Sequence, residues 1–151
     1  MGCDIHIMIE EYKNNQWNFV QYEQTAVEMN DVSYNDFDNL RMINVSYDED
    51  EINEMEVNII RNYNLFALLA DVRNNIGLTP LSPIRGIPLN TDQRIKDYMN
   101  DGSLHSLTFY EVSELVDVNF DDVCVNDDTF HCLVENLNKR GNFRLIIGFD
   151  S

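Results

Sequence analysis

The chain is short of cysteine and above all of positive charge, and each shortage excludes something. Cys3, Cys124 and Cys132 are odd in number and form no CxxC pair, so neither a disulfide framework nor a zinc knuckle is expected, which fits a reducing compartment. No run approaches the roughly 18 apolar residues that a bilayer crossing needs, and the N-terminus lacks the basic segment and apolar core of a signal peptide. A cytoplasmic location, with no membrane contact, is the expectation. Lys and Arg number 10 against 27 Asp and Glu, a formal net charge of -17. Such a surface repels phosphate backbones, so direct nucleic-acid binding is not expected, whereas a basic partner protein is compatible with it. No HExxH zinc signature, internal repeat or low-complexity tract is present.

What is present suits one folded unit. Hydrophobic residues make up 44% of 151 positions and aromatics 11%, enough for a single domain with its own core. The chain is organised around Gly2-Cys3-Asp4-Ile5-His6-Ile7-Met8-Ile9-Glu10. Apolar Cys3, Ile5, Ile7 and Ile9 alternate with Asp4, His6, Met8 and Glu10, the period of a strand with one polar face. Asp4 and His6, two residues apart at roughly 6.6 Å, can therefore address one ligand, metal ion or water.

Lys13-Asn14-Asn15-Gln16 tolerates the positive φ of a tight turn, and alternation resumes from Trp17 to Tyr22, so a β-hairpin is predicted. Residues 23–45 show no clean period and read as loop. Ser46 to Glu49 has capping-box spacing, which predicts a short acidic helix running on to Ile60. Leu65 to Val72 should be the most buried helix, capped by Asn62 or Asn64. Pro80, Pro83 and Pro88 make 78–90 an ordered loop around Arg85.

A short helix is expected from Thr91 to Met99. A second capping box, Thr108 to Glu111, predicts a helix through about Val116. The clearest helix begins at Asp127 or Asp128, with Phe130, Leu133, Val134 and Leu137 on one stripe, Lys139-Arg140 near its end and Gly141 beyond. Phe143 to Asp150 reads as a central strand beside the first. Together these predict an α+β fold, a small, mainly antiparallel sheet with helices packed on one face.

Five stretches, GCDIH at the start, RNYNLFALLADVRN at 61–74, PLSPIRGIP at 80–88, HSLTFYEV at 105–112 and FRLIIGFD at the end, resemble a family of small uncharacterised proteins of phages and other large DNA viruses. The resemblance implies a viral origin and a role inside the infected cell, in the host cytoplasm, and it transfers no activity. Residues 23–58 lie outside it and are expected to be a family-variable insertion carrying the acidic helix.

The polar groups of these stretches form the candidate site. Arg61 and Arg85 are guanidinium forks suited to phosphate or carboxylate, and Tyr63 is a stacking or hydrogen-bonding surface. His6 and His105 are the acid and base candidates, with Asp4 to orient an imidazole. Asp4, His6 and His105 are alternatively ligands for a divalent metal that activates water. Ser106 is not counted as a nucleophile, because neighbours on a strand point to opposite faces.

The leading expectation is thus a viral protein that binds a small anionic ligand of nucleotide type and, in its stronger form, hydrolyses it to counter a host defence signal. Two alternatives stand beside it. One is an acidic interaction protein or DNA mimic that inhibits a basic host protein through Asp48 to Glu56; the other is a virion or assembly component.

Overall fold

The computed structural model describes residues 2–24, 40–44, 61–123, 125 and 127–150. Strands β1 (Asp4–Lys13), β2 (Gln16–Gln24), β3 (Leu40–Asn44), β4 (His105–Glu111) and β5 (Phe143–Asp150) form one sheet in the order β3-β2-β1-β5-β4. Every neighbouring pair is antiparallel. Helices α1 (Tyr63–Ala70), α2 (Gln93–Met99), α3 (Val112–Leu115) and α4 (Asp128–Arg140) complete the α+β architecture.

The β1–β2 turn forms as its asparagines dictate, with Asn14 at φ 55° and Asn15 at φ 63°, the left-handed pair that a two-residue hairpin requires. β5 is central and lies beside β1, with Asp4 opposite Asp150 and Glu10 opposite Arg144. Seven of its eight residues are buried, as expected for a strand covered on both faces.

The odd-numbered face of β1, Ile5, Ile7 and Ile9, packs with Leu145, Ile147 and Phe149 of β5 against apolar residues of α1, α3 and α4. This is the expected helical face. The short α2 adds cover on the other side, where Ile95 and Met99 meet Met8, Phe19 and Ile146. The polar face of β1 is therefore half roofed.

Two local expectations change. Residues 105–111 are strand β4, not the start of a helix: Thr108, Phe109 and Tyr110 favour extended chain and pair with Ile147, Ile146 and Leu145. The helix there is the single turn α3, and the carboxylate that accepts a backbone N–H at its start is Glu114, from Glu111 at 2.8 Å. Within the region read as loop, 40–44 instead pairs with β2. The acidic helix expected over 46–60 lies outside the described residues.

α1 begins where predicted. Asn62 Oδ1 accepts from the backbone N–H groups of Asn64 and Leu65 at 3.1 and 3.2 Å. Its Nδ2 also donates at 3.3 Å to Asp127, which caps α4 by accepting from Phe130 N–H at 3.0 Å. Burial pushes the Asp127 carboxyl above the usual range. One asparagine thus serves two helix starts. Asn62→Ala is expected to lower stability by about 1–2 kcal/mol in urea unfolding, the upper part of the range for lost caps.

Candidate functional site

The end of the sheet formed by the start of β1 and the finish of β5 gathers most of the residues singled out in the sequence. Antiparallel pairing is the cause, because it sets Asp4 against Asp150 and His6 against Gly148. Arg61, just ahead of α1, reaches over the strand start and binds Asp4 Oδ1 through Nε at 2.9 Å and Nη2 at 2.8 Å. Gly2 makes room for it: a Cβ there would lie 2.3 Å from Arg61 Nη1. Tyr63 Oη accepts from the backbone N–H of Cys3 at 3.2 Å, and its ring lies under the Arg73 guanidinium at 5.7 Å. Burial pushes the Cys3 thiol up, against the opposing pull of Arg73.

His6 is held at both nitrogens. Nε2 lies 2.6 Å from Asp150 Oδ2 and Nδ1 lies 3.0 Å from Tyr98 Oη. The orienting carboxylate expected of Asp4 is thus Asp150, whose carboxyl is held below the usual range by its bond to His6. Asp150 also accepts from the Asp4 backbone N–H at 3.3 Å. Asp4 and Asp150 are thereby joined on one side of the site, Asp4 paired with Arg61 and Asp150 with His6.

His105 sits at the same end of the sheet, opposite Phe149 on the far side of β5. The register slips between His105 and Thr108, and Ser106 takes φ 55°. That bulge lets His105 Nδ1 lie 2.9 Å from Ser106 Oγ, a contact that strict alternation forbids. Among the described residues no group of three or more His, Cys, Asp or Glu is placed to hold a metal ion. Asp4, His6 and His105 therefore do not form the metal triad that their residue types allowed.

Arg85 stands apart from Arg61. Its fork grips Glu114 through Nη1 at 2.8 Å and Nη2 at 2.7 Å, Nε donates to Ser82 at 3.0 Å, and the guanidinium lies 4.7 Å from the Tyr110 ring centre. Tyr110 pairs with Leu145, five residues along β5 from Asp150, roughly 17 Å at strand rise. The two arginines do not share a pocket. Arg85 instead fastens the proline loop to β4, with its N–H donating to Thr108 Oγ1 at 3.2 Å.

Beside Arg61 opens a cleft of about 640 Å³ lined by Arg61, Asn62, Tyr63, Asn64, Asp127, Asp128 and Thr129. It lies over the starts of α1 and α4, where backbone N–H groups and the helix dipoles favour negative charge. Asp127 and Asp128 oppose this, so the cleft is polar rather than cationic.

Sequence reading missed Asp150 and Tyr98. The first was discoverable: a final strand placed antiparallel to the first must set its last residue against Asp4. Tyr98 carried no signal, being one aromatic on a short helix. Comparison with protein-family models, curated proteins and solved structures finds no match for this chain.

Proposed function

We propose that this chain binds a small anionic ligand of nucleotide type at the β1–β5 end of the sheet and hydrolyses it there with His6. The observation that supports this reading is the open cleft that Arg61 and Tyr63 line, next to the Arg61–Asp4 pair at the strand end that also carries His6 and Asp150. Arg61 is the anion fork. Its partner Asp4 is 55% exposed and Arg61 itself 47%, so water screens the pair and a phosphate can take the place of Asp4 at small cost. Tyr63 offers a ring edge for a base, and His6, held in one orientation, is the acid–base group.

The resemblance to proteins of phages and large DNA viruses supports a use for this chemistry in the infected cell, where removing a nucleotide signal of host defence would favour the virus. Arg85 is given no part in binding, since Glu114 already occupies its fork.

Native mass spectrometry of protein purified from cells tests the reading, followed by titration with mono-, di- and cyclic dinucleotides with and without magnesium. Arg61→Ala is expected to weaken binding at least about tenfold, the loss of one charge-assisted fork, whereas Arg85→Ala leaves it unchanged. A clean apo mass with no response to any of these nucleotides at millimolar concentration would overturn it.

A further inference from the structure

Tyr98, His6 and Asp150 come from α2, β1 and β5 and meet in a line of two hydrogen bonds, 3.0 and 2.6 Å long. Chemistry fixes the direction of that line. The Asp150 carboxylate only accepts, so Nε2 of His6 carries the hydrogen between them. In the neutral imidazole Nδ1 then has only its lone pair, and the Tyr98 hydroxyl must donate to it. A proton that leaves Tyr98 along this bond therefore moves to His6, and the imidazolium so formed faces a carboxylate.

We propose that Tyr98, His6 and Asp150 are a proton relay in which the Tyr98 hydroxyl is a nucleophile. His6 acts as its base, and Asp150 positions His6 and stabilises its charged form. The substrate class, a phosphate ester, rests on the function proposed above; the relay itself does not. In the first step Tyr98 Oη bonds to phosphorus, the bond from phosphorus to the leaving oxygen breaks, and its electron pair departs with that oxygen. The phenol proton passes to His6 Nδ1 and then to the leaving group. In the second step water attacks phosphorus, His6 takes a proton from the water, and Tyr98 Oη leaves and recovers a proton from His6.

The surroundings suit such a transfer. His6 has a side chain 19% exposed and Tyr98 is half-buried, within reach of a small reagent yet largely shielded from water. The charged groups that act on the imidazole are Asp150 on β5 and Asp101 just past α2, while Arg61 acts in turn on Asp150. Both carboxylates therefore face the positive charge that His6 gains when it takes the proton.

An aryl sulfonyl fluoride tests the relay without any nucleotide. The phenol oxygen bonds to sulfur, fluoride leaves with the S–F electron pair, and the proton goes to His6. Peptide mapping is expected to find Tyr98 modified at least about tenfold faster than Tyr12, a modest fraction of what a positioned base contributes, although Tyr12 is 43% exposed. In His6→Gln and Asp150→Asn, checked for native unfolding, Tyr98 should fall to the rate of Tyr12.

Nitrogen NMR of the unmodified protein is an independent arm, with His6 expected to be protonated at Nε2 and bare at Nδ1 near neutral pH. The opposite tautomer, or a Tyr98 rate no greater than that of Tyr12 or unmoved in His6→Gln, would overturn the relay. Nucleotide binding that persists when labelling fails removes the relay alone. Labelling that persists when no nucleotide binds removes the ligand class alone.

Discussion

Glu10→Ala is expected to destabilise the protein by about 3–5 kcal/mol, the usual cost of leaving one member of a buried ion pair without its partner. Glu10 is completely buried and Arg144, opposite it on β5, is 3% exposed. Arg144 binds Glu10 Oε1 through Nε at 2.9 Å and Nη2 at 2.8 Å. Thr91 Oγ1 donates to the same oxygen at 3.2 Å while accepting from Arg144 Nη2 at 3.2 Å. The backbone N–H of Asp92 donates to Oε2 at 3.0 Å. The guanidinium also lies 4.2 Å from the Trp17 ring centre. Removing the carboxylate strands a desolvated cation and leaves two donors unmatched.

Urea unfolding at neutral pH measures the loss, and a cost under about 1 kcal/mol would show that water or a neighbouring carboxylate repairs the site. The double variant Glu10→Leu with Arg144→Met, apolar and similar in volume, should recover most of the stability, since replacing a whole buried pair is often neutral. Its effect on the site is a separate matter. Thr91 and Asp92 lead into α2, which carries Tyr98, so releasing them should loosen the bond to His6 even where stability returns.

This cluster marks the boundary of what the residues disclose. The alternation over residues 4–10 correctly put Asp4, His6, Met8 and Glu10 on one face, because a period of two is a local property. What each carboxylate would face was not local. Glu10 is neutralised by a residue 134 positions later, and His6 is bonded by one 144 positions later. Only the antiparallel pairing of first and last strands brings those partners in. Once that pairing is expected the register does most of the work, since Asp4, His6, Met8 and Glu10 each acquire a named neighbour on β5.

The mistaken helix at Thr108 has a different origin. Capping-box spacing is a weak signal in a segment of β-favouring Thr, Phe and Tyr, and the sheet edge offered by β5 decides the outcome. The bulge at Ser106 was invisible for the same reason. A non-glycine residue at positive φ is held there by its surroundings, not by its own preference. Arg85 is found paired with Glu114, apart from Arg61, because charge complementarity has more than one solution. In a chain with 27 acidic residues, a guanidinium meets a carboxylate more readily than it stays open for a phosphate.

Phe149→Ala is expected to cost a comparable amount, about 3–5 kcal/mol, and to reach both core and site. The ring is completely buried, with Phe66 of α1 edge-on at 5.2 Å and His105 at 6.3 Å between ring centres. It is the last apolar side chain of β5 before Asp150. Truncation opens a void between α1 and the sheet that close-packed neighbours fill only in part. For a chain of this length the loss corresponds to a fall in Tm of roughly 10–15 °C. Phe149→Leu, which keeps most of the volume, should lose less than half as much. The void lies directly beneath the strand end that fixes Asp150 against Asp4. If the core sets the site, the His6 nitrogen signals of Phe149→Ala at low temperature should move away from the single tautomer expected of the native protein. Unchanged signals in a destabilised variant would show instead that the His6–Asp150 bond holds without the packing below it.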